Sequence, residues 1–189
     1  MVRISGIDYS LTSPSVCVFS GNKEDFSFEK CKLYFLSPQK KYSTFLNENI
    51  DGQMNIAEYS VHQQRYDFIS DWALDIIISE NIEEVYIEDY SYNSTGKVFN
   101  IAENCGLLKW KLWNSDINFK LVSPAEIKKF ATGKGNANKE SMYESFYADT
   151  DKNLLDLFEY SGKKVPSPIS DIVDSYYICK FAIKAIDNQ

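Results

Sequence analysis

A chain of 189 residues with 44% hydrophobic content can bury one full core but not two comfortable ones, so a single domain over 1–189 is expected. The net charge of −7 and a pI of about 4.8 argue, taken alone, against a polyanionic partner. No run approaches the roughly 18 uninterrupted apolar residues of a membrane helix, and the N-terminus lacks a signal-peptide shape, which points to a soluble, cytoplasmic protein with no membrane partner.

Charge is segregated along the chain. From Lys97 to Lys139 eight lysines stand against Glu103, Asp116 and Glu126, whereas Lys40 to Asp89 carries eleven acidic residues against Lys40, Lys41 and Arg65. Cys17, Cys31, Cys105 and Cys179 show no Cys-x-x-Cys spacing and read as reduced core residues rather than a zinc site. The single histidine, His62, lies in a polar stretch and reads as a surface residue, so histidine-based nucleophilic chemistry has no material.

In chain order, Val2 to Ile7 predicts a buried strand ending in Asp8, Ser15 to Phe19 its neighbour, and Phe26 to Leu36 a third, together a meander. Between Asn55 and Glu80 the apolar residues recur at three and four, as a core-facing helix requires. Glu84 to Glu88 predicts a strand. Lys97 to Trp113 predicts a second helix, with Phe99, Ala102, Gly106, Leu107, Trp110 and Trp113 buried, and Phe119 to Val122 a last strand. Ser123-Pro124-Ala125-Glu126 is a capping box that opens a short helix closed by Gly133. Asn138 caps a helix to about Ala148, Asp149 to Val165 is loop with one turn around Leu154 to Phe158, and Ser167-Pro168 opens a helix to about Ile186. This is an α/β chain: a mixed five-stranded sheet, three strands antiparallel and two parallel, flanked by helices.

Three acidic stations carry chemistry. Asp8 ends the first strand, where a carboxylate is either a metal ligand or simply starts a turn. Glu88 ends another apolar strand, with Asp89 expected on the opposite face because strand side chains alternate. Two such carboxylates crowd negative charge unless a hard cation such as magnesium or manganese neutralises it. Asp171 and Asp174 stand three apart on a helix, hence on one face, with Cβ atoms roughly 5–6 Å apart. Asp171 in the first turn also suits the helix dipole; Asp174 lacks that explanation.

With these stations in order, and with Lys128-x4-Gly133-x-Gly135-x-Ala137-x-Lys139 between the second and third, the sequence resembles the RuvC-like Holliday junction resolvases of the RNase H-like superfamily. Its richness in Asn, Lys and Tyr suits an AT-rich genome, and its short divergent form a bacteriophage-type member, working in a bacterial cell or a phage-infected host. The resemblance implies an RNase H-like fold and a Mg2+-dependent endodeoxyribonuclease, with two ions per site and Mn2+ able to substitute. Asp8 would bridge both ions, Glu88 with Asp171 or Asp174 would complete their shells, and all four carboxylates are candidate catalytic and metal-binding residues. It also implies a homodimer on a four-way DNA junction. The lysine-glycine segment suits phosphate binding, since Gly133 and Gly135 let backbone approach while Lys128, Lys129, Lys134 and Lys139 supply charge.

The chain departs from the family after Asp8, where Tyr9-Ser10-Leu11-Thr12-Ser13 replaces the usual Pro or Gly, and at Ser91, where relatives carry an aromatic. Tyr90 or Tyr92, flanking it, could stack on a base instead. The rival expectations are a relaxed nuclease of flaps, forks or RNA–DNA hybrids, and a DNA-binding module with a decayed site. An actin-like ATPase needs further Gly-rich phosphate loops that the sequence lacks, so no nucleotide cofactor is expected.

Overall fold

The first strand, β1 (Val2–Asp8), alternates buried residues to both faces, as a central strand covered on each side must. The computed structural model describes residues 1–56, 58–90 and 98–186. β1 pairs antiparallel with β2 (Ser15–Gly21), which pairs antiparallel with β3 (Cys31–Ser37). On its other edge β1 runs parallel to β6 (Glu84–Glu88), and β6 parallel to β7 (Asn118–Val122). The sheet order is β4-β5-β3-β2-β1-β6-β7.

The sheet therefore has seven strands rather than five. β4 (Leu46–Asn47) and β5 (Ile50–Met54) extend the edge beyond β3, with β5 parallel to it. They carry no alternating apolar pattern. Ile50 is the sole buried apolar residue of β5, and Gly52 is required because a Cβ there would lie 2.3 Å from the Phe35 ring. β3 begins at Cys31 instead of Phe26, since two 3-10 turns, Lys23–Asp25 and Phe28–Lys30, precede it and bury Phe28 in the core.

α1 (His62–Ser79) starts well after Asn55. Asn55 is buried in the preceding loop, where its amide donates to the carbonyls of Leu11 (3.2 Å) and Thr12 (2.7 Å), so its side chain ties down the loop after β1 rather than joining a helix. α2 (Val98–Asn114) buries Asn104, Cys105, Leu108 and Leu112, against α1 and β7. The expected buried face is the wrong one: Phe99, Trp110 and Trp113 are 79%, 55% and 69% exposed, and Ala102, Gly106 and Leu107 are half-buried. Both faces of α2 are apolar, and periodicity cannot tell which one the sheet takes.

α1 and α2 cover one face of the sheet and enclose Ile7, Val16, Val18, Val85 and Ile87. The opposite face, bearing Ile4, Cys17, Phe19 and Tyr86, is covered by α3 (Pro124–Thr132), α4 (Lys139–Thr150), the single turn α5 (Leu154–Leu157) and α6 (Ile169–Ile186). The capping box at Ser123 and Glu126 is formed, Gly133 ends α3 at φ 79°, and the Asn138 side chain accepts from the Ser141 amide at 2.9 Å to start α4. All four cysteines are free and buried, and His62 is exposed. Among the described residues no helix is long and apolar enough to cross a membrane.

Candidate active site

β1 and β6 are parallel with Ile7 opposite Ile87, so Asp8 and Glu88 end neighbouring strands at the same level, at the carboxyl edge where α/β sheets place their ligands. α6 crosses β1 at Gly6, whose missing side chain lets the strand meet helix backbone. A Cβ there would lie 2.2 Å from the Cys179 nitrogen and 2.6 Å from the Ser175 carbonyl oxygen. The Ser15 and Ser175 hydroxyls, 2.9 Å apart, add a buried hydrogen bond to that contact. With Ser175 fixed over β1, the preceding turn of α6 brings Asp174 and Asp171 towards Asp8.

Asp8, Glu88 and Asp174 line one cleft of about 810 Å³, and Asp171, buried, is kept from its surface. Burial pushes the Asp8 carboxyl well above its ordinary range, and the negative charges of Asp171, Glu88 and Asp174 push it further. Glu88 rises to about 7 through burial, countered by Lys128. Asp174 rises to about 8 through burial and the charges of Glu88 and Asp171. Asp171 is raised by burial, which the Ser167 hydroxyl, Lys139 and Ser170 offset only in part.

Lys128 and Lys139 stand in this cleft beside the carboxylates. The Lys139 ammonium donates to the Ser170 hydroxyl at 2.9 Å, and that hydroxyl donates to Asp171 Oδ1 at 3.3 Å, a chain of charge-assisted bonds joining the starts of α4 and α6. The other two lysines of the segment are not brought here. Lys129 points outward, a residue round the helix from Lys128, and Lys134 lines a separate hollow with Thr132 and Glu144. Tyr90 lines the cleft with the Lys109 ammonium 5.6 Å from its ring centroid, whereas Tyr92 lies outside the described residues. Asp89, one residue past β6, lines the cleft as well.

Arg65, Lys164 and Glu140 line the cleft too, and no local pattern marks them. Arg65 ends a polar run in the first turn of α1, and Lys164 lies in the loop before α6. The lysine-rich stretch is partly neutralised elsewhere: Lys111 pairs with Asp67 (2.7 Å) and Asp71 (2.5 Å), and Lys120 with Glu84 (2.6 Å).

Whether the carboxylates suit a cation turns on their chemistry. Asp171 Oδ2 is buried without a hydrogen-bond partner, and hard oxygen donors in a cleft that drives their own pKa values up are what a divalent ion would relieve. Among the described residues no three such side chains are gathered to hold an ion as they stand.

No family model matches the chain. The crossover junction endodeoxyribonuclease RuvC of Helicobacter pylori (strain G27) is 34% identical over 125 residues, covering 65% of this chain and 73% of that protein. The RuvC of Wolinella succinogenes is 31% identical over 125 residues, covering 65% and 70%. Among solved structures, Thermus thermophilus RuvC in complex with a Holliday junction substrate matches with a TM-score of 0.62 and 14% identity, over 98% of this chain and 97% of that one. The yeast mitochondrial Holliday junction resolvase Ydc2 matches with a TM-score of 0.57 and 16% identity, over 99% and 82%. At these identities the structural matches bear on fold alone, and they place this sheet among RNase H-like folds.

Proposed function

The chain belongs to the RuvC family of crossover junction endodeoxyribonucleases, and from that premise we propose that it resolves four-way DNA junctions by symmetric, metal-dependent phosphodiester hydrolysis, as one nuclease domain. The observation that carries this reading is the convergence of Asp8, Glu88 and Asp174 from β1, β6 and α6 at one cleft that also holds Lys128 and Lys139, with Asp171 buried close enough to act on Asp8.

Those four carboxylates would hold two Mg2+ ions, with Mn2+ able to substitute. Bound there, the ions would lower the pKa of the attacking water and stabilise charge on the departing 3′-oxygen. The chain's own part is to prepare the place. Glu88 and Asp174, raised to about 7 and about 8, would give up their protons to a cation held there, so its occupancy should rise with pH over that range. Lys139, through Ser170, orients Asp171. Lys128 and Lys139 meet the phosphates of the incoming strand, which the carboxylates alone would repel.

Two sites on opposite strands require two copies, and α2 offers the face to join them. Phe99, Trp110 and Trp113 share its exposed side with Gly106, where a Cβ would meet nothing within 4 Å. That stripe, self-complementary about a glycine, lets two α2 helices cross closely. Trp110→Glu should shift the protein to monomer in sedimentation and turn paired nicks into single ones; a variant that stays dimeric excludes α2 as the interface.

The substrate is tested by cleavage of a labelled four-way junction in magnesium at low salt. Paired, symmetric, ligatable nicks are expected. Cutting confined to flaps, forks or RNA–DNA hybrids would reassign the substrate, and no cutting of any branched DNA would overturn the activity.

A further inference from the structure

The cleft is bounded from both sides of the sheet, and only one side holds the lysine-glycine segment. Lys128 and Lys139 belong to helices packed on the face with Ile4 and Phe19; α1 packs on the face with Ile7 and Val18. From the first turn of α1, Arg65 reaches the same cleft. It is one of two arginines in the chain, and the other, Arg3, sits at the far end of β1 against Glu83.

Arg65 is held but not neutralised. Its NH1 donates to the Tyr59 hydroxyl at 3.3 Å, and its guanidinium carbon lies 5.4 Å from the Tyr59 ring centroid. Its Nε is buried without an acceptor, and among the described residues no carboxylate pairs with it. Elsewhere this acidic protein spends its cations locally, with Lys32 on Glu80, Lys111 on Asp67 and Asp71, and Lys152 on Glu29. An arginine fork pinned at one nitrogen, with donors left over, takes an anion with two oxygens in one plane, and an already fixed side chain loses little entropy on binding.

We propose that Arg65 is a second phosphate grip that positions the DNA strand over the carboxylates from the α1 side, opposite Lys128 and Lys139. This rests on the reading of the cleft as a DNA-cleaving site. Arg65 acts as a positioning residue: it fixes where the backbone lies and leaves the hydrolysis itself to the carboxylates.

The test uses the full chain and a labelled four-way junction. Binding is followed against salt in calcium, cleavage under single turnover in magnesium, and folding by circular dichroism. Arg65→Gln should weaken junction binding roughly five- to tenfold and lower the slope of log K against log salt by about one. The cleavage rate at saturating enzyme should stay within a few-fold, so the loss falls on half-saturation. Arg65→Lys should keep the slope, since the charge remains, while losing part of the affinity. An Arg65→Gln protein with an unchanged salt slope, or an Arg65→Lys protein that loses the slope, overturns the grip even if wild type cuts junctions normally. A wild type that neither binds nor cuts junctions would overturn the cleft reading itself, and the grip with it.

Discussion

Asp8→Asn should abolish junction cleavage, a loss on the order of 10³-fold or more, equivalent to about 4 kcal/mol of transition-state stabilisation. It should leave junction binding intact or slightly tighter. The side chain keeps its size, so β1 and the Gly6 contact are undisturbed. The charge that faces Asp171, Glu88 and Asp174 disappears, and with it repulsion towards phosphate. The same variant should change the pH dependence of stability in EDTA. The carboxyls of Glu88 and Asp174 sit at about 7 and about 8 in the folded protein, above their unfolded values. Between roughly pH 4 and 8 the folded state thus binds more protons than the unfolded one, and metal-free stability falls as pH rises. Removing the Asp8 charge should flatten that fall, so the variant gains melting temperature over wild type at pH 8 more than at pH 5. Magnesium or manganese should restore wild type at pH 8 and do little for the variant. Retained cutting, or a variant less stable than wild type at pH 8 in EDTA, would remove Asp8 from the metal site.

The carboxylate stations were legible because each sits where local pattern is strongest: at the end of an apolar strand, or at helical spacing after a helix start. Of the lysines in the Lys128 to Lys139 segment, the two at its ends reach the carboxylate cleft. Lys129 and Lys134 share its composition, but a step of one residue round a helix, or a turn past Gly133, carries a side chain to another surface. Arg65 was hidden for a related reason. Its role depends on the register of α1 against the sheet, a tertiary fact, while locally it ends a polar run, His62-Gln63-Gln64-Arg65. Asn55 was read as helix, although its amide closes the Leu11–Thr12 loop 43 residues away in sequence. β5 escaped notice because a strand held by ladder hydrogen bonds to β3 and the short β4, with one buried Ile50, needs no alternation. The aromatic stripe of α2 had the right period and the wrong destination, since the strength of an apolar face does not say whether a sheet or a second copy covers it.

Gly6→Ala should be among the most destabilising substitutions available to this protein, at least about 3 kcal/mol or failure to fold. The added methyl would meet the Cys179 nitrogen at 2.2 Å and the Ser175 carbonyl oxygen at 2.6 Å. Neither is the end of a flexible side chain. Both are helix backbone, so relief requires α6 to lift from β1, and α6 is buried along most of its length, including Ile172, Val173, Tyr176, Ile178 and Cys179. Lifting it would separate the Ser15 and Ser175 hydroxyls and carry Asp171 and Asp174 away from Asp8. Any fraction that folds should therefore lose cleavage out of proportion to its stability, while Lys128 and Arg65, placed by other helices, keep junction binding. Urea denaturation with paired cleavage and binding assays would measure this. A Gly6→Ala protein within about 1 kcal/mol of wild type, where surface substitutions commonly fall, and still cutting would mean that something other than the β1–α6 contact sets the separation of the carboxylates.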